Sequence, residues 1–73
     1  MDELIKEIRV IVDHYARPMN LQEVTDLLCG RYEKVDIVAA VWAGFDQGDL
    51  IMTPDRLVST ENVRRLNMEV VND

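Results

Sequence analysis

Cysteine and histidine occur once each in this 73-residue chain, and its basic residues are outnumbered by acids. The single cysteine, Cys29, excludes an internal disulfide and a thiolate metal cage. With no histidine at a suitable spacing it is not a nucleophile, and a small half-buried residue is expected there. The single histidine, His14, lies on the polar face of a predicted helix, whereas a metal site needs three or four converging donors. Glycines 30, 44 and 48 match neither the phosphate-loop nor the dinucleotide-binding spacing. Asp46 and Asp49 flank a tight turn without a calcium-loop pattern around them, so they belong to turn chemistry. No catalytic group, metal or cofactor is expected. No long hydrophobic run occurs either: Met1-Asp2-Glu3-Leu4-Ile5-Lys6 is interrupted by charge, unlike a signal peptide or a membrane span. A soluble, cytoplasmic, non-enzymatic protein is the expectation.

Eight basic residues against fourteen acids give a formal charge of −6. Duplex affinity comes largely from neutralising phosphates with Lys and Arg, so the balance argues against strong nonspecific nucleic-acid binding. It leaves room for a local basic patch. The hydrophobic content, 48%, is enough for a core and argues against disorder. At this length a single core is close to the lower limit of self-sufficiency, so dimerisation or partner binding would add stability.

Apolar residues Leu4, Ile5, Ile8, Ile11, Val12 and Tyr15 fall in an arc of roughly 120° on a helix over residues 2–16, with Val10 the one exception. Pro18 stops this helix, because proline disfavours helical geometry at Arg17. Asn20 and Glu23 form a capping-box pair that opens a second helix, with Leu21, Val24, Leu27 and Leu28 as its stripe and Gly30 as a left-handed stop. A third helix is predicted from Glu33 to Gln47. Its apolar residues Val35, Ile37, Val38, Val41, Trp42 and Phe45 sweep roughly 160°, and Gly48 ends it. Trp42 reads as core, at an edge of the arc that also suits a partner-facing role. Leu50-Ile51-Met52 and Arg56-Leu57-Val58 are short strands around a turn at Thr53-Pro54-Asp55. Thr60 caps a last helix or arm, in which Val63, Leu66 and Val70 keep helical spacing.

The order helix, helix, helix, hairpin resembles the winged helix-turn-helix superfamily: mainly α with a small β-hairpin. The likeness covers residues 2–59. It is carried by Asn20-Leu21-Gln22-Glu23-Val24 at the start of the second helix, and by Val38-x-x-Val41-Trp42-x-x-Phe45-x-x-Gly48-Asp49-Leu50 where the third turns into the wing. Residues 1–59 are therefore expected as the domain and 60–73 as a C-terminal helix or arm. The resemblance implies DNA binding through the third helix, with the wing touching the backbone, although many members use the fold for protein contacts.

Groove-reading helices expose Arg, Lys, Asn or Gln to base edges. Here the solvent side of the third helix is expected to carry Asp36, Ala39, Ala40, Ala43, Asp46 and Gln47, a poor reader of DNA but suited to close approach of a basic protein partner. Val63, Leu66 and Val70 are the expected self-association contacts of a homo-oligomer. The alternative is a DNA-binding transcriptional regulator in which Arg31, Lys34 and Arg56 hold phosphates of double-stranded DNA and Gln47 reads bases. Those cations otherwise serve as solvated charges balancing Glu33, Asp36 and Asp55.

Overall fold

A computed structural model describes the backbone of residues 2–71 and the side chains of residues 2–66. The chain runs α1 (Asp2–Tyr15), α2 (Leu21–Leu28), α3 (Lys34–Gln47), β1 (Ile51–Met52), β2 (Val58–Ser59) and α4 (Glu61–Val71). It is mainly α, with three main helices and a small antiparallel hairpin, and among the described residues no helix is long and apolar enough to cross a membrane.

Local chemistry explains most of the boundaries. Asp2 and Glu3 occupy the first turn of α1, where carboxylates complement the helix dipole. The helix ends at Ala16, whose φ of 54° is left-handed and whose N–H bonds Val12 O at 3.0 Å. At α2 the capping box forms in full: Asn20 Oδ1 accepts from Glu23 N at 2.8 Å and Glu23 Oε1 accepts from Asn20 N at 3.2 Å. Gly48 closes α3 at φ 85°, the region where an L side chain would be strained. Gly30, expected as a left-handed stop for α2, is not one. Its φ is not positive; Cys29 stays helical, and Leu28 O accepts from both Arg31 N and Tyr32 N to finish the turn.

The hairpin pairs Ile51 with Ser59 and Met52 with Val58, one residue later on the second strand than the predicted span. Its loop is tied by Arg56 N to Thr53 O at 2.9 Å, Thr53 N to Leu57 O at 2.9 Å and Leu57 N to Thr53 Oγ1 at 3.0 Å. On its other side Val58 exchanges two backbone hydrogen bonds with Met19, at 2.8 and 2.7 Å, in an isolated antiparallel bridge. The α1–α2 connection thus acts as a one-residue third strand, and Met19 is buried beneath it.

The core joins Leu4, Ile5, Ile8 and Val12 of α1, Val24 and Leu28 of α2, Ile37, Ala40 and Val41 of α3, and Met19, Leu50, Val58 and Val63. Two residues expected in helical stripes, Tyr15 and Leu27, are largely exposed. In α2 the interior place goes to Thr25, whose hydroxyl satisfies itself by donating to Leu21 O at 2.8 Å. The segment after the hairpin is a helix anchored to α1. Thr60 Oγ1 accepts from Val63 N at 3.2 Å and donates to Asp13, while Asn62 Nδ2 donates to Asp13 Oδ2 at 3.1 Å. Val63, expected as a self-association contact, is wholly buried within its own chain and cannot meet a second copy. Leu66 is exposed, and the side chain of Val70 lies outside the described residues.

α3 packs closely against its own exit at Gly44. A Cβ placed on Gly44 would lie 2.5 Å from Leu50 Cδ1, 2.7 Å from Leu50 Cγ and 3.4 Å from Ile5 Cγ2. Leu50 is 2% exposed and would have to shift within the core to make room. Gly44→Ala is therefore expected to destabilise the fold by about 1–2 kcal/mol, overpacking outweighing the helix-propensity gain of alanine. Gly30→Ala, with nothing within 4 Å, should be close to neutral in the same urea titration. Ala16→Gly should instead raise stability by about 0.5 kcal/mol, because it relieves a left-handed alanine at an exposed helix end.

Candidate functional site

The orientation of α3 decides what this molecule offers to others. Its buried residues are Ile37, Ala40, Val41 and Gly44, a line built largely from small side chains. At about 100° per residue, Val35, Ala39, Trp42 and Asp46 fall on the opposite side, within roughly 60° of one another. Val35 is 68% exposed and Trp42 56% exposed. Trp42, read from sequence chiefly as core, is thus an outward-facing residue. The interior line accepts only side chains that let α1 and Leu50 come close, and an indole on that line would clash with both.

The six residues expected on the solvent side of α3 separate into three groups. Ala39 and Asp46 do lie on the outward line and are exposed. Asp36 and Gln47 are exposed but turn toward α1: Asp36 borders a depression with Glu3, Leu4 and Tyr32, and Gln47 borders another with Asp2, Lys6 and Arg9. Ala40 is fully buried, and Ala43 is half-buried against the core. Ala40 is therefore unavailable to any partner, since its methyl-sized side chain serves the close helix packing.

Beside the outward line lies an apolar groove of about 370 Å³. Val41, Trp42 and Phe45 form one wall, Met52 and Val58 the other, Leu21 of α2 contributes from the side, and Arg56 stands at the lip. The Trp42 and Phe45 rings meet edge to face, with centroids 5.6 Å apart, an arrangement that stiffens the wall. Met52 is 42% exposed, so the groove opens onto solvent through large apolar groups. Small residues four apart mark a side of a helix that another element can approach closely, but Ala39 and Ala43 share this spacing with Ala40 and Gly44, so the pattern alone does not place Trp42.

The cations do not gather into a ridge. Arg31 Nη2 pairs with Glu7 Oε1 at 2.5 Å, Arg17 with Glu23 at 2.7 Å, Arg9 with Asp49 at 3.8 Å and Arg64 with Glu61 at 3.7 Å. Of the three expected phosphate holders, Arg31 is thus engaged within the chain. Lys34, at the start of α3, and Arg56 are exposed and have no carboxylate within 4 Å among the described residues. Arg56 has a φ of 65°, the left-handed slot that glycine commonly fills in a three-residue hairpin loop. Cys29 proves exposed rather than half-buried, and His14 is exposed. Among the described residues no three histidine, cysteine or carboxylate side chains converge as metal ligands. No known family model, curated protein or solved structure is significantly similar to this chain.

Glu7 ties α1 to the α2–α3 connection. The hydrogen bond donated by the Tyr32 hydroxyl holds the Glu7 carboxyl below its ordinary range, against partial burial and with help from the Arg31 guanidinium; the same bond pushes the Tyr32 phenol up. Glu23 is lowered in the same sense, first by Arg17 and then by the Asn20 N–H. A depressed carboxylate stabilises the fold above its unfolded pKa, and that stability is lost as pH falls through the lower folded value. The raised Tyr32 pKa gives the opposite edge: its contribution is complete below the unfolded phenol pKa and disappears as pH rises through the folded one. Tyr32→Phe is expected to lower stability at neutral pH and to flatten both the acid and the alkaline limb. Urea midpoints measured across the pH range check this, and limbs unchanged from the parent would contradict it.

Proposed function

We propose that this chain is a small, non-enzymatic winged-helix regulatory protein that acts through protein contacts made by the outward line of α3 and the groove beside the hairpin. The observation that carries this reading is the exposure of Trp42 and Met52 on an open apolar groove, with Val35 further along the outward line of α3 and Asp46 as the carboxylate on that side. Contiguous exposed apolar surface marks sites of interaction, and a tryptophan at its centre is a typical energetic anchor. Three helices, a hairpin and the Met19 strand between α1 and α2 support the winged-helix assignment, in which α2 and α3 are the helix-turn-helix pair. Fold alone does not choose between nucleic acid and protein as the partner. The side chains on α3 favour protein, since valine, alanine and aspartate supply no donors for base edges, the Trp42 indole N–H is a lone donor, and none of them carries positive charge for phosphates.

DNA binding is the second reading, and the exposed Lys34 and Arg56 are what favour it, standing where a helix start and a wing tip would meet phosphates. Titrating labelled duplex at low and moderate salt separates the two. The contact reading expects no binding tighter than about 10⁻⁶ M, and the same weak signal from Lys34→Ala and Arg56→Ala proteins. A tighter, salt-sensitive affinity that either substitution abolishes would sink it.

A further inference from the structure

We propose that the occupant of the α3–hairpin groove is a second copy of this chain, docked about a two-fold axis close to Trp42 so that Asp46 of each copy meets Arg56 of the other. The proposal rests on the protein-contact reading and names the partner.

A two-fold interface uses the same patch on both molecules, so the patch must complement itself. This one does. Crossing it from the hairpin, one meets Arg56 at the lip, then the groove wall of Phe45 and Trp42, then Asp46, which lies roughly 40° beyond Trp42 on the helix and away from the groove. Cation and carboxylate therefore stand on opposite sides of the aromatic centre. Neither has an oppositely charged group within 4 Å among the described residues, whereas Arg9, Arg17, Arg31 and Arg64 all do. Rotating a second copy by half a turn over Trp42 brings each Asp46 toward the opposing Arg56 and closes Val35, Trp42 and Met52 from water.

Partners of one sign fit less well. A basic helix entering the groove would meet Arg56 at the lip, and an acidic one would meet Asp46 on the other flank. Two copies also repel at long range, but at physiological ionic strength the screening length is about 8 Å, so contacts at the patch decide the outcome. A chain of 73 residues also gains from burying a further apolar face.

Trp42 is the only tryptophan, so its emission reports directly on this surface. Sedimentation equilibrium from about 1 μM to about 1 mM, at physiological salt, should show a monomer–dimer equilibrium, with Trp42 emission moving to the blue as dimer forms. Trp42→Ala, followed by sedimentation alone, should weaken association at least about tenfold. Asp46→Arg and Arg56→Asp should each weaken it by roughly tenfold, and the two together should return it to within about threefold of the parent. All three positions are exposed, and aspartate tolerates the left-handed backbone at 56, so folded variants are expected by circular dichroism. A parent that stays monomeric throughout overturns the proposal. So does a dimer indifferent to Trp42→Ala, or a double charge exchange that associates no better than the single variants. A monomer that also ignores duplex DNA leaves the contact reading standing with a different partner, whereas tight duplex binding removes that reading itself.

Discussion

Gly44 sets the rotation of α3 about its own axis, and the character of the exposed surface follows from that rotation. The absence of a side chain there lets Leu50, the first residue to fold back after the helix, press against the backbone with Ile5 of α1 alongside. Ala40, one turn earlier, extends the same narrow line, and Ile37 and Val41 flank it. Once this line faces inward, Val35 and Trp42 face outward as a geometrical consequence. A helix surrounded by apolar residues has no hydrophobic preference strong enough to resist. Interior helices pack at near-crystalline density, so the position with the least room is decided by the smallest residues.

The small sheet does comparable work at the other end of the molecule. Val58 is bonded on one side to the hairpin and on the other to Met19, so the α1–α2 connection, the hairpin and the core beneath them form one unit. That unit holds the second wall of the groove in place, with Met52 and Arg56 on it and Leu21 of α2 next to it. On the opposite edge, Asp13 ties down the start of α4 through Thr60 and Asn62. The result for a short chain is a core reached by all four helices and by β2, with α3 and a braced hairpin left to carry an apolar face.

Electrostatics narrow the use of that face. Most of the arginines are engaged by carboxylates of their own chain, and their ion pairs lie outside the outward line of α3. Such exposed pairs add little stability individually, but they remove cations from the pool that could neutralise phosphate. Near the groove the Arg56 guanidinium and the Asp46 carboxylate lie on opposite flanks, with Asp55 next to Arg56 in the hairpin loop, a mixed-sign balance that favours a protein surface over a polyanion.

Much of this architecture is legible in the order of residues. The Asn20–Glu23 capping box, the left-handed Gly48, the stop before Pro18 and the alternation of helices and hairpin are local effects, each decided by a few neighbouring side chains and the backbone they bond. The excess of acid is equally plain from composition. Long-range packing decided the rest. Periodicity could not tell which side of α3 is interior, because valines, alanines and aromatics nearly encircle it, and the choice rests on Gly44 meeting Leu50 and Ile5. Nor could spacing alone show that Val63 belongs to the core, that Ala40 is hidden, that Arg31 is held by Glu7, or that Met19 bridges to Val58. Each of those depends on a contact between segments distant in sequence, which exists only once the chain has closed on itself.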